Sequence, residues 1–217
     1  MPRSSGGVMA AKRLFGIVVP LVLLASSMWA QVNELSVTAG RTFVSTQTIQ
    51  NPPTGDLYPQ IHFANDKSIA FNYGRFLVQR GIFGITAELP VAMYFHMDLN
   101  TGADLIPKDI GALFVTPSVR VNAFARDSVT PWASFGGGYG RFRQSSSLNY
   151  YGPNPGPTGS NTGVVQFGAG LDVWFWERWG GRLEARDFFS GEPDLNVETN
   201  RTRQHNYYVG VGVMHRF

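Results

Sequence analysis

The chain has 217 residues, 43% of them hydrophobic and 13% aromatic, with 15% charged, no cysteine and a formal net charge of +3. The missing cysteines exclude disulfides and thiolate metal sites. Arg3, Lys12 and Arg13 are the only basic residues among the first thirty, and taking those three from the 18 Lys and Arg leaves 15, equal to the 15 Asp and Glu. The basic balance therefore belongs to the N-terminal end and gives no reason to expect nucleic acid as a partner.

The three cations precede an apolar run over residues 14–25, followed by small residues, which is the pattern of a secretory signal peptide over residues 1–30. The run is about twelve residues, short of the ~20 that a membrane-spanning helix needs. Residues 31–217 read as a single all-β domain. In residues 34–46, Leu35, Val37 and Ala39 alternate with Ser36, Thr38 and Gly40, which predicts a first strand. Residues 47–66, with N-P-P-T-G-D, predict a long loop. A second strand over 68–79 carries aromatics on both parities, at Phe71, Tyr73 and Phe76, so its facing stays open; Arg80 and Gly81 make a short turn.

Residues 82–97 alternate throughout, with Phe83, Ile85, Ala87, Leu89, Val91, Met93 and Phe95 on one face and His96 on the other. Pro90 removes a ladder donor and predicts a local bulge there. After a polar loop over 98–111, Leu113, Val115, Val119 and Val121 alternate with Thr116, Ser118, Arg120 and Asn122, and a short turn follows at 126–130. Residues 131–144 set Trp132, Phe135 and Tyr139 around four glycines. These glycines lie in a strand pattern with no helix after them, which excludes a phosphate loop. A loop over 145–161 leads to a strand over 162–176, a turn at Glu177 and Arg178, a strand over 179–189, a loop over 190–204 and a closing strand over 206–217.

Connections thus alternate long and short across eight strands, which predicts an eight-stranded antiparallel up-and-down transmembrane β-barrel, with all long loops on one side of a membrane. The interior of such a barrel is just wide enough for side chains. Glu88, Arg120, Asp172, Arg182, Glu184, Arg186 and Arg216 share faces with small residues and are expected inside, as an ionic network in which guanidinium and carboxylate groups satisfy one another. That network either fills the lumen or forms a gated ion path. His62, His96, His205 and His215 show no metal or nucleophile spacing, and no cofactor is expected.

Two stretches resemble a known family. The strand Gly168-Ala-Gly170-Leu-Asp172, a tight turn, and the strand Trp179-Gly-Gly-Arg182-Leu-Glu184-Ala-Arg186 resemble a hairpin of the OmpA-like transmembrane domain and related small outer-membrane barrels. The end of the chain resembles their C-terminal assembly signal, with Tyr207, Val209, Val211, Val213 and Phe217 on one face and His215 where the pattern has an apolar residue. The resemblance implies an outer-membrane location and a non-enzymatic structural, adhesive or narrow-pore role. It further implies contact with outer-membrane lipid, handling by periplasmic chaperones and the barrel assembly machinery, and a monomer. Two alternatives stand beside it: a lipid-modifying enzyme using rim residues such as His96 and Asp98, and a secreted calyx with the apolar face inward.

Overall fold

The computed structural model describes residues 32–50, 60–125 and 127–217, so the expected leader, part of the first long loop and Arg126 lie outside the described residues. Its strands are β1 Asn33–Val44, β2 Gln47–Thr48, β3 Gln60–Phe63, β4 Asp66–Arg80, β5 Phe83–Asn100, β6 Asp109–Val115, β7 Ser118–Ala123, β8 Val129–Gln144, β9 Gly159–Trp174, β10 Trp179–Gly191 and β11 Arg203–Arg216. Antiparallel pairing runs β1-β4-β5, then β6 and β7 together, then β8-β9-β10-β11. The ring closes where β11 returns to β1, from Glu34↔Arg216 to Val44↔Asn206. Phe217 N–H donates to Asn33 O at 2.9 Å, and Asn33 N–H donates back at 3.0 Å. Among the described residues, closure leaves no free edge in the barrel wall.

β6 and β7 are halves of one stave, which makes eight staves in all. Their register against β5 is continuous, with Val91↔Val115 on one side of the break and Glu88↔Ser118 on the other. Prolines interrupt the ladder: Thr116 N–H donates to Pro90 O at 3.1 Å and Gly137 N–H donates to Pro117 O at 3.2 Å, but neither proline has an N–H to return. The bulge expected at Pro90 is therefore absent, since Asn72↔Pro90 is in register. Irregularities lie instead at Phe76/Val78 in β4 and at Tyr94/Met97 in β5. Ahead of the first, β4 keeps a regular period that settles its facing: Phe71 and Tyr73 point outward, whereas a Cβ on inward Gly84 would meet the Phe76 ring. The second overturns the regular period through residue 97, because both Phe95 and His96 are exposed and Met97 turns inward.

Outward positions are apolar on every stave, among them Val37, Phe71, Leu89, Val119, Phe135, Phe167, Leu183 and Val211, all exposed. Aromatic rings bound this band on β10 and β11. At the turn end, His215 lies between Trp179 (4.5 Å between centroids) and Phe217 (6.2 Å). At the loop end, His205 lies between Phe189 (4.7 Å) and Tyr207 (5.3 Å) and pairs with Asp187 at 2.7 Å. Ten residue steps along the strand separate the two histidines. At about 3.4 Å each and a tilt of about 40°, they span about 26 Å along the barrel axis, close to the ~25 Å apolar band of a transmembrane barrel.

Candidate functional site: the filled lumen

The lumen has two layers. In the half nearer the short turns, inward positions are charged. Arg182 grips Asp172 with both Nε and Nη2 at 2.8 Å, reaches Glu34 through Nη2 at 3.1 Å, and donates from Nη1 to Ser36 at 3.0 Å. Arg186 donates from Nε to Glu184 at 2.8 Å and from Nη1 to Glu88 at 2.9 Å. Arg120 donates to Glu34, and its Nη1 lies 3.8 Å from Glu88 and 3.7 Å from Asp172. Neutral donors complete the carboxylates, with Ser118 on Glu88 at 3.1 Å and Thr38 and Asn72 on Glu184 at 2.5 and 3.3 Å. Four carboxylates thus face three buried guanidiniums, and Arg216 at the mouth, 4.0 Å from Glu34 and above the Trp174 ring, brings the charges into balance. Burying these groups singly would be costly; mutual pairing and hydrogen bonding offset the lost hydration.

Trp132 sits at the centre. The guanidinium carbons of Arg120, Arg182 and Arg186 lie 5.6, 5.3 and 5.0 Å from its ring centroid. The indole N–H donates to Asp172 at 3.0 Å, so the ring faces cations while its edge meets an anion. Gly170 of β9 makes room for it, since a Cβ there would collide with the indole.

The half nearer the long loops is built on an aromatic core, beside which Gln47, Ser190, Gln204 and Asn206 are buried and hydrogen-bonded to one another. Phe114 stacks on Phe188 at 4.9 Å and meets Phe142 edge-on at 5.8 Å, with Tyr94 beside it at 6.3 Å. Ile49, Ile61, Met97, Leu99, Ile106 and Leu195 continue this core into the loops. Backbone bonds knit the loops together over it: Gln50 N–H to Glu198 O (2.8 Å), Asn200 N–H to Thr48 O (2.9 Å) and Asn149 N–H to Ile106 O (2.9 Å).

Of the seven charged residues expected inside, six are buried in one network and Arg216 lies at its edge. Glu34 and Trp132, which that expectation omits, complete the network. Each had a signal in the strand period, since Glu34 shares a face with Ser36 and Thr38, and Trp132 with Ser134 and Gly136. The aromatic core was also unforeseen, although Tyr94, Phe114, Phe142 and Phe188 occupy inward positions. His96 and Asp98 are both exposed, and no hydrogen bond among the described residues joins them; Asp66 accepts the His96 N–H at 2.9 Å. The facing of the alternative calyx, apolar side inward, is reversed around the charged layer.

No protein-family model and no curated protein matches the chain. Solved structures do. The outer membrane protein AlkL, determined in DMPC lipid bilayers, is 14% identical with a TM-score of 0.52, over 88% of this chain and 93% of that one. The outer membrane protein OprG from Pseudomonas aeruginosa is 11% identical with a TM-score of 0.51, over 86% of this chain and 97% of that one. The fold is that of the small outer-membrane β-barrels. In an outer-membrane barrel the continuous apolar exterior is the lipid-facing surface, and the two aromatic bands mark its interfaces. His215, the departure from the terminal pattern, points outward between Trp179 and Phe217, so a flat ring replaces another ring in the band. Tyr207, Val209, Val211, Val213 and Phe217 are all exposed on that same outward face.

Proposed function

We propose that the protein is a monomeric outer-membrane barrel of the Gram-negative envelope that acts through its lipid-embedded wall and its knitted loops, in a structural or adhesive role, and not as a pore or an enzyme. Residues 1–30 serve as the export leader, periplasmic chaperones carry the chain, and the assembly machinery reads Tyr207, Val209, Val211, Val213 and Phe217. The observation that carries this reading is the doubly filled lumen. Ions entering from the turn end meet a neutralised network around Trp132, and beyond it a packed aromatic core flanked by buried amides already bonded to one another.

Planar-bilayer recording of the refolded protein tests it. The expected result is no steady conductance above the bare membrane; reproducible single-channel steps abolished by a bulky substitution in the lumen would overturn it.

A further inference from the structure

Three long loops meet at Asn196. Its backbone adopts φ 64°, and its side-chain amide donates to Leu105 O at 2.8 Å and to Asn154 Oδ1 at 2.7 Å. Its own N–H donates to Asp194 at 3.1 Å. Gly156 packs so closely that a Cβ there would collide with Asn196 Oδ1. The loops are therefore held in place before any partner arrives.

Beside this junction lies an open groove of about 480 Å³. Leu105, Pro155, Pro157 and Val197 supply apolar wall, and the carboxylates of Asp194 and Glu198 stand on its lining. Both are exposed, and neither takes part in a salt bridge among the described residues. An apolar wall beside unneutralised carboxylates matches one kind of side chain, a hydrocarbon stem ending in a cation. Arginine and lysine have that form.

We propose that this groove is a docking site for an arginine or lysine side chain of a polypeptide partner, with the stem on Leu105, Pro155, Pro157 and Val197 and the charge at Asp194 and Glu198. The site goes beyond the reading of the filled lumen and does not depend on it, because a conducting barrel would leave the groove intact.

The test is a titration of the refolded full barrel in detergent micelles with acetyl-Gly-Gly-Arg-Gly-Gly-amide, followed by amide NMR shifts. The control peptide carries citrulline, which keeps the shape of arginine without its charge. Saturable shifts at Leu105, Gly156, Asn196 and Val197 are expected, with at least tenfold weaker binding of the citrulline peptide. The D194N/E198Q variant should bind the arginine peptide at least tenfold more weakly; the side-chain amide oxygen introduced at position 194 still accepts the Asn196 N–H, so the junction holds. Equal binding of both peptides, equal binding by the variant, or shifts spread evenly over Asp98, Asp104 and Asp109 would overturn the proposal. So would calcium producing the four shifts where the peptide does not.

Discussion

The indole N–H of Trp132 donates to Asp172 across the β8–β9 seam at 3.0 Å, and the same carboxylate is gripped by Arg182. One ring thereby spaces the lumen's guanidiniums and fixes the anion between them. Trp132→Ala should destabilise the barrel by about 3–5 kcal/mol, combining lost packing with a cavity among charges. Trp132→Phe keeps the ring face but drops the donor and should cost less. Urea unfolding in detergent micelles would rank the two, and an Ala variant no weaker than wild type would remove Trp132 from the centre of the network.

Glu34 balances both Arg120 and Arg182. Glu34→Gln leaves buried positive charge uncompensated and should cost about 3–5 kcal/mol, the range for breaking one partner of a buried pair. Since the pair is shielded from solvent, the loss should change little between low and high salt, unlike a surface pair. Unfolding midpoints at two ionic strengths check this; a loss that disappears in salt would place Glu34 in water.

On the lipid face, Val119 is 52% exposed, on the opposite face to buried Arg120. Val119→Arg should cost about 2–4 kcal/mol if it meets the membrane midplane. Val119→Leu should be close to neutral. Comparison of folding yields into vesicles measures the difference, and equal tolerance of Arg and Leu would contradict a lipid-facing position.

Phe217 is 57% exposed and bonded to Asn33 through its backbone alone. Deleting it should reduce the amount of barrel inserted in cells far more than it reduces stability after refolding in micelles. His215→Tyr keeps a ring between Trp179 and Phe217 and should leave insertion unchanged or raise it. Membrane fractionation beside urea unfolding separates the two effects; normal insertion of the deletion variant with a large stability loss would assign Phe217 to packing.

Glu192, just beyond the end of β10, has its carboxyl pushed above the usual range by partial burial, opposed by the hydroxyl of Thr199 and the charge of Arg201. A carboxyl raised in the folded state favours folding most fully at pH below its unfolded pKa, and the contribution is lost as pH rises through the raised value. The last long loop should therefore loosen over that interval. Hydrogen exchange at the Thr199 amide is the measure, and Glu192→Gln should remove its carboxyl-range pH dependence; an unchanged profile in that variant would discard the mechanism.

Much of this fold follows from local order along the chain. Period-two alternation puts Val119 outside and Arg120, Asp172, Arg182, Glu184 and Arg186 inside, and the alternation of long and short connections sets eight staves, because both depend on neighbouring residues alone. Height within the lumen does not. Glu34 begins β1, Arg120 lies within β7 and Asp172 approaches the end of β9, yet they share one layer because closure slides each strand past its neighbour. The same stagger gathers Phe114, Phe142 and Phe188 into a second, aromatic layer. Irregularities at Phe76/Val78 and Tyr94/Met97 then shift the parity of the residues beyond them, placing His96 outside. The junction at Asn196 joins three loops whose sequences are separately polar and turn-rich, and only the closed barrel that brings their ends together lets one amide reach both Leu105 and Asn154.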